Sequence, residues 1–404
     1  MRKFLKQAAV LLLALTFIIP QFGCQSNAQN QNYTGLSKTG FYLDTICSIT
    51  IYGVDPVSTL GHELAAAADE AQQQKLVYQL ITDAFLECDR YEKLLSKTIS
   101  SSEISQINRA VGQTVEVSSQ TGEVIEKGLW YGRVSDGLFD ITIGKASALW
   151  DFHEAEAASG AGGEEEAGDS EDDDAESRLP DEDELEEAVK HVDYTKVKVN
   201  GLSVTLEDPG MEIDLGGIAK GYIADRVTDY LEEHGVVSAV VDLGGNIVTI
   251  GGKTSELLPA AVSAGAAGTS GEELAEVMTD FSIGIKDPQS ETGALLAVFP
   301  CSDKTVVTSG TYERYLMQDG VKYHHILDPK TGWPIETDVL SVTIIAEKGS
   351  AVDADGLSTT CLALGVEKGM ELIESLQQPA VEAVFVDTRG EIHKTSGAPE
   401  LTTN

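Results

Sequence analysis

Asp355 and Thr359 stand four residues apart in Asp353-Ala354-Asp355-Gly356-Leu357-Ser358-Thr359. At a helix start that spacing sends a carboxylate and an alcohol from one face. Such a pair suits a hard cation such as Mg2+, which keeps waters and takes phosphate oxygens from a substrate. A structural reading competes: Asp353 or Asp355 as an N-cap, with Thr359 bonded back to the helix. A second segment, Glu212-Ile213-Asp214-Leu215-Gly216-Gly217-Ile218-Ala219-Lys220-Gly221, ends a strand and opens a helix through two glycines. A helix N-terminus of this kind accepts phosphate and Lys220 adds a point charge, although the P-loop spacing is missing. Tight packing is the competing account of the glycines. Asp242-Leu243-Gly244-Gly245-Asn246 repeats the theme, which points to a shared ligand crevice.

Two polar clusters follow. Thr308-Ser309-Gly310-Thr311-Tyr312-Glu313-Arg314 precedes His324-His325-Ile326-Leu327-Asp328-Pro329-Lys330-Thr331-Gly332. His325 is a candidate general base, because imidazole titrates near neutrality. Adjacent strand residues point to opposite faces, so at most one of the two His faces a common ligand. Structural roles for both stay open. Ser135 to Gly144 reads as a turn at Asp136-Gly137 followed by a strand over Phe139 to Ile143.

Around these segments helices and strands alternate without a regular βαβ repeat, which predicts an α+β fold. Strands are expected at Ser48–Tyr52, Val236–Val241, Ile247–Ile250, Phe281–Ile285 and Ser341–Ala346, with a hairpin over Val197–Leu206. Helices are expected at Leu76–Leu94, at Ile218–His234 closed by Gly235, and from Ala354 to Leu364. Two stretches break the globular pattern. Residues 154–178 are mostly acids, Ala, Gly and Ser and read as a disordered loop; residues 255–278 read as a second insert.

The formal net charge of -38 excludes nucleic acid as a partner and requires any phosphorylated ligand to be held locally. The N-terminus has a basic start and an apolar run from Ala8 to Ile19, too short to span a membrane. Gly23-Cys24 then sits where a signal peptide is cut, followed by a polar tether. The junction resembles a bacterial lipoprotein site, which implies a signal peptide over 1–23 and lipidation of Cys24, with ordinary secretion or an uncleaved anchor as the alternatives; a tether over 24–40 and a domain over 41–400 follow. Cys47, Cys88, Cys301 and Cys361 show no metal or redox spacing and are expected as buried thiols, with a disulfide left open.

Taken together, SDGLFDITIG, DLGGIAKGY, DLGGNI, TSGTYERY, HHILDPKTGWP and DADGLSTT, in this order, resemble the ApbE-type FAD:protein FMN transferases, a family of lipoproteins. The resemblance runs from about Tyr42 to Glu374. It implies a flavin transferase fold with FAD in a deep cleft and Mg2+ on Asp355, Thr359 and the Gly217 carbonyl. It also implies FAD contacts at Leu138, Phe139, Asp140, Asp214, Lys220 and Leu327, and at Leu43 and Thr98. At those last two positions the family usually has Met and an aromatic residue. Gly356 stands for a commoner Ala, implying a looser helix start. His325 would deprotonate a Thr or Ser hydroxyl of the acceptor. That acceptor would be a membrane electron-transport subunit or an exported flavoprotein, met outside the cytoplasmic membrane where the lipid anchor holds the enzyme. FAD pyrophosphatase activity and plain FAD binding are the rival readings.

Overall fold

The computed structural model describes residues 35–152, 179–254, 278–290, 292–376 and 380–403. The leader, Cys24, the tether up to Thr34, the acidic insert and all of the second insert except Met278 lie outside the described residues.

Eight strands form one sheet: β1 (Leu36–Tyr42), β2 (Thr45–Val54), β3 (Val236–Leu243), β4 (Asn246–Ile250), β5 (Lys304–Gly310), β6 (Val339–Glu347), β7 (Val381–Asp387) and β8 (Ile392–Lys394). Their order across the sheet is their order along the chain. Every neighbouring pair is antiparallel. The fold is therefore an antiparallel meander with helices and small hairpins carried in its connections, the expected α+β class. β1 already begins at Leu36, inside the stretch expected to be tether. Alternation works as predicted in β2, where Cys47, Ile49 and Ile51 are fully buried and Ser48 and Thr50 half-buried.

Four helices matter to the site. α1 (Glu70–Leu95) starts earlier than its apolar spacing suggests, because Asp69 caps it by accepting from the Gln72 N–H at 2.9 Å. α2 (Ser119–Val134) and α3 (Ala219–Glu233) follow. Gly235 closes α3 at φ +87°, and His234 bonds the Tyr230 carbonyl through Nδ1 at 2.7 Å. α4 (Ala351–Leu364) is buried almost all round, packed against α3, β5 and β6. The four cysteines are buried and free.

Two expectations need correction. Phe139 to Ile143 is not a strand; its only ladder contact is a parallel bridge from Ile143 to Glu212. Asp140 turns the chain instead, accepting from the Thr142 N–H and hydroxyl (2.8 and 2.6 Å) and from the Tyr194 N–H (2.9 Å). Nor does Asp353 or Asp355 cap α4, which begins at Ala351. Its first two N–H groups are taken by Asp225 of α3, at 3.0 and 3.1 Å.

Candidate active site

α3 and α4 cross where the first twin-glycine turn opens α3. Asp355 Oδ2 accepts from the Gly221 N–H at 2.8 Å, so the carboxylate seals the start of α3. The close approach depends on glycine, since a Cβ at Gly221 would lie 2.1 Å from the Ala351 carbonyl oxygen. One turn along α4, Thr359 faces Gly217: a Cβ on that glycine would lie 3.7 Å from Thr359 Oγ1. Ser309, at the end of β5, reaches the same place, 3.5 Å from Thr359 Oγ1 and 2.8 Å from Ser358 Oγ. Asp355, Thr359 and Gly217 are thus brought together.

The second twin-glycine turn delivers Asn246 to this point. Asn246 is 1% exposed and both ends of its amide are buried without a hydrogen bond of standard geometry. It lies close enough to Asp355 to favour the carboxylate's charge. Burial pushes the Asp355 carboxyl up, against Lys220, the Gly221 N–H and Asn246. The two ends of the Asn246 amide leave unused polar capacity beside the Asp355 carboxylate. Its oxygen, the Thr359 hydroxyl and the Gly217 carbonyl are hard donors, the set that Mg2+ prefers. The residues fit the ion. A second cluster, Asp387, Glu391 and His393, is already neutralised by Arg389, 2.8 Å from Asp387 and 2.7 Å from Glu391.

Lys220 is the electrostatic centre, since it acts on Asp355, Glu313, Asp242 and His325 alike. Lys286 and Arg314 add charge beside Glu313, whose carboxyl is nevertheless pushed up by burial. In a chain of net charge -38, these three cations gather positive charge at one place, against the carboxyls of Glu313, Asp242 and Asp355.

His325 follows a hairpin, Tyr315–Gln318 with Val321–His324, turned by left-handed Asp319-Gly320. Its Nδ1 is 3.0 Å from the Arg314 carbonyl, which also accepts the His325 backbone N–H at 3.1 Å. A carbonyl cannot donate, so Nδ1 carries the proton and Nε2 keeps its lone pair. Burial first, and then the charges of Arg314 and Lys220, push the imidazole down to about 3. Arg314 donates in turn to the Asp44 carbonyl at 2.8 Å, tying in the β1–β2 turn, where Leu43 adopts φ +56°.

The other predicted residues divide. Asp214 lies at the site, held by Lys97 (2.8 Å), Ser147 (2.8 Å) and the Gly216 N–H (2.8 Å). Despite burial, these partners keep its carboxyl below the usual range. Phe139 packs its ring against Gly217. Leu138 is half-buried against the core, and Leu327 is buried with Trp150 and Phe152. The Asp140 side chain is committed to its turn. Thr98 is exposed and bonded to Ser96.

Sequence reading missed Lys97, Ser147 and Asn108. Asn108 clamps Ile213 through both backbone groups, at 2.7 and 2.9 Å. No local motif marks them, since each acts across more than forty residues.

With this geometry in place, the family model described as the ApbE family matches residues 43–385. The chain belongs to the ApbE family. Among similar ApbE relatives, the FAD:protein FMN transferase of Treponema pallidum is 31% identical over 93% of this chain and 90% of its own length. One from Klebsiella pneumoniae is 34% identical over 80% and 84%. The crystal structure of the ApbE protein from Thermotoga maritima superposes with a TM-score of 0.65 at 28% identity, covering 89% of this chain and 96% of that one.

Proposed function

We propose that this protein transfers FMN from FAD to a hydroxyl of an acceptor protein, releasing AMP. The observation that carries the reading is the meeting of Asp355, Thr359 and Gly217 beside Lys220 and His325 in an ApbE-family chain. Lys220, Lys286 and Arg314 hold the pyrophosphate of FAD by charge, where the rest of the molecule repels it. Asp214, fixed by Lys97 and Ser147, is a rigid acceptor for FAD hydroxyl or ring N–H groups. Asp355, Thr359 and the Gly217 carbonyl would hold Mg2+, which would supply Lewis-acid neutralisation of the phosphates when bound. His325 takes the proton of the acceptor Thr or Ser through Nε2, its tautomer fixed by the Arg314 carbonyl. The hydroxyl oxygen then bonds to the FMN phosphorus while the bond to AMP breaks. Leu138, Phe139, Leu327, Leu43 and Thr98 complete the walls around the flavin. Asp140 belongs with them through its turn rather than through its carboxylate.

Lipidation of Cys24 places the catalytic domain on the outer face of the cytoplasmic membrane, beside acceptors of the electron-transport or exported flavoprotein type. The experiment is direct. The mature protein is incubated with FAD, Mg2+ and an apo flavoprotein domain, and all products are weighed by mass spectrometry. An acceptor heavier by FMN supports the reading. Free FMN plus AMP makes the protein a pyrophosphatase, and unchanged FAD makes it a binder.

A further inference from the structure

Tyr131 of α2 touches both halves of the site from behind. It is fully buried, and its hydroxyl donates to Asp353 Oδ1 at 2.8 Å and lies 3.1 Å from the Asp353 carbonyl. Lys127, one turn earlier, pairs with the same Oδ1 at 2.6 Å. The Tyr131 ring lies close on α4 at Gly356, where a Cβ would sit 2.4 Å from Cε2 and 2.6 Å from Cδ2. Only glycine lets the ring come so close, so Gly356 serves that contact. On its other side the ring meets Phe139, with centroids 5.6 Å apart at 60°. Phe139 in turn lies against Gly217, where a Cβ would be 3.1 Å from Cε2. Asp353 and Gly356 share one face of α4 while Asp355 and Thr359 share another. One side chain therefore braces the helix carrying Asp355 and, through a single intervening ring, the turn carrying Gly217.

We propose that Tyr131 is a positioning residue that sets the spacing of Asp355 and Thr359 from Gly217, and that Gly356 is the small residue its ring requires. The inference rests on the Mg2+ reading of that trio. It is tested by calorimetric titration of Mg2+ into the FAD-loaded protein, alongside FAD affinity in EDTA. Tyr131→Phe removes the hydroxyl and should weaken Mg2+ binding about tenfold while FAD affinity in EDTA stays unchanged. Gly356→Ala should weaken it further, and adding Tyr131→Leu to Gly356→Ala should bring it back to the level of Tyr131→Leu alone. Wild-type Mg2+ affinity in Tyr131→Phe or Gly356→Ala overturns the proposal, even if both variants melt at lower temperature. Should Tyr131→Phe fail to fold, Gly356→Ala and the double variant decide the question in its place. A wild-type complex that takes up no Mg2+ removes the metal reading first, and this inference with it.

Discussion

The tetrapeptide Asp-Leu-Gly-Gly occurs twice, at 214–217 and 242–245, and its last glycine, Gly217 or Gly245, is needed for a different reason in each copy. In the second copy Gly244 and Gly245 have φ of +63° and +91° and make the two-residue turn between β3 and β4. A Cβ on Gly245 would meet nothing closer than 3.8 Å, so its need for glycine is conformational. In the first copy neither glycine is among the left-handed ones, and the chain runs on into α3. Gly217 is small because the Phe139 ring presses on it. The aspartates differ as well. Asp214 is ion-paired and held low, whereas burial pushes Asp242 up although it accepts from the Gly245 N–H at 3.0 Å. Gly217 allows contact, whereas Gly245 sets direction.

Both turns lead to Asp355, which accepts from Gly221 beyond the first and neighbours Asn246 beyond the second. Asp355→Asn should therefore have the largest effect, reducing FMN transfer below detection in a gel fluorescence assay. Because burial disfavours the charge, the same variant should melt no lower than wild type in EDTA. A lower melting temperature would mean that the carboxylate serves the fold. His325→Ala should slow transfer by about 10²–10⁴-fold. With its pKa depressed, the wild-type kcat/KM profile should show no acid limb near 6.5, the ordinary imidazole value. A limb there would place the base elsewhere. The glycines then separate the two turns. Gly217→Ala should cut transfer roughly tenfold to a hundredfold, through small shifts of the turn and of Phe139 against it. Gly245→Ala should instead cost about 1–2 kcal/mol in urea unfolding and leave transfer close to wild type. Equal losses of activity would erase the distinction between contact and direction.

Much of this was legible in the sequence, but not the causes. Both twin-glycine turns, the α+β class, the hairpin over Val197–Leu206 and the Asp355–Thr359 pair follow from local spacing, because turn chemistry and helical period are local properties. The strand expected at Phe139–Ile143 failed because all of Phe139 to Thr142 is buried and its polar groups bond through Asp140, which mimics a strand pattern. The capping of α4 was invisible because Asp225 supplies it from another helix. Gly356 looks like a weak helix residue until the Tyr131 ring is placed over it. Lys97, Ser147 and Asn108 carry no motif; their meaning exists only once the chain is folded around Asp214 and Ile213.

The aspartates of the two turns are told apart by stability rather than by activity. The folded pKa of Asp214 is below its unfolded value, so its ion pair stabilises the protein above the unfolded value and is lost as pH falls through the folded one. Asp242 is raised, so its charge costs stability above the folded pKa, and that cost disappears on acidification. Asp214→Asn should then lower the unfolding free energy by about 1.5–3 kcal/mol at pH 7, the range for hydrogen bonds to a charged group. Asp242→Asn should change it little or raise it, since an amide still accepts from Gly245 without a buried charge. Urea unfolding between pH 7 and about pH 3 reads both differences. They should have opposite or clearly unequal signs at neutrality and converge toward zero in acid. Two equal losses at pH 7 would mean that the repeated aspartates are alike, and that only the glycines distinguish the turns.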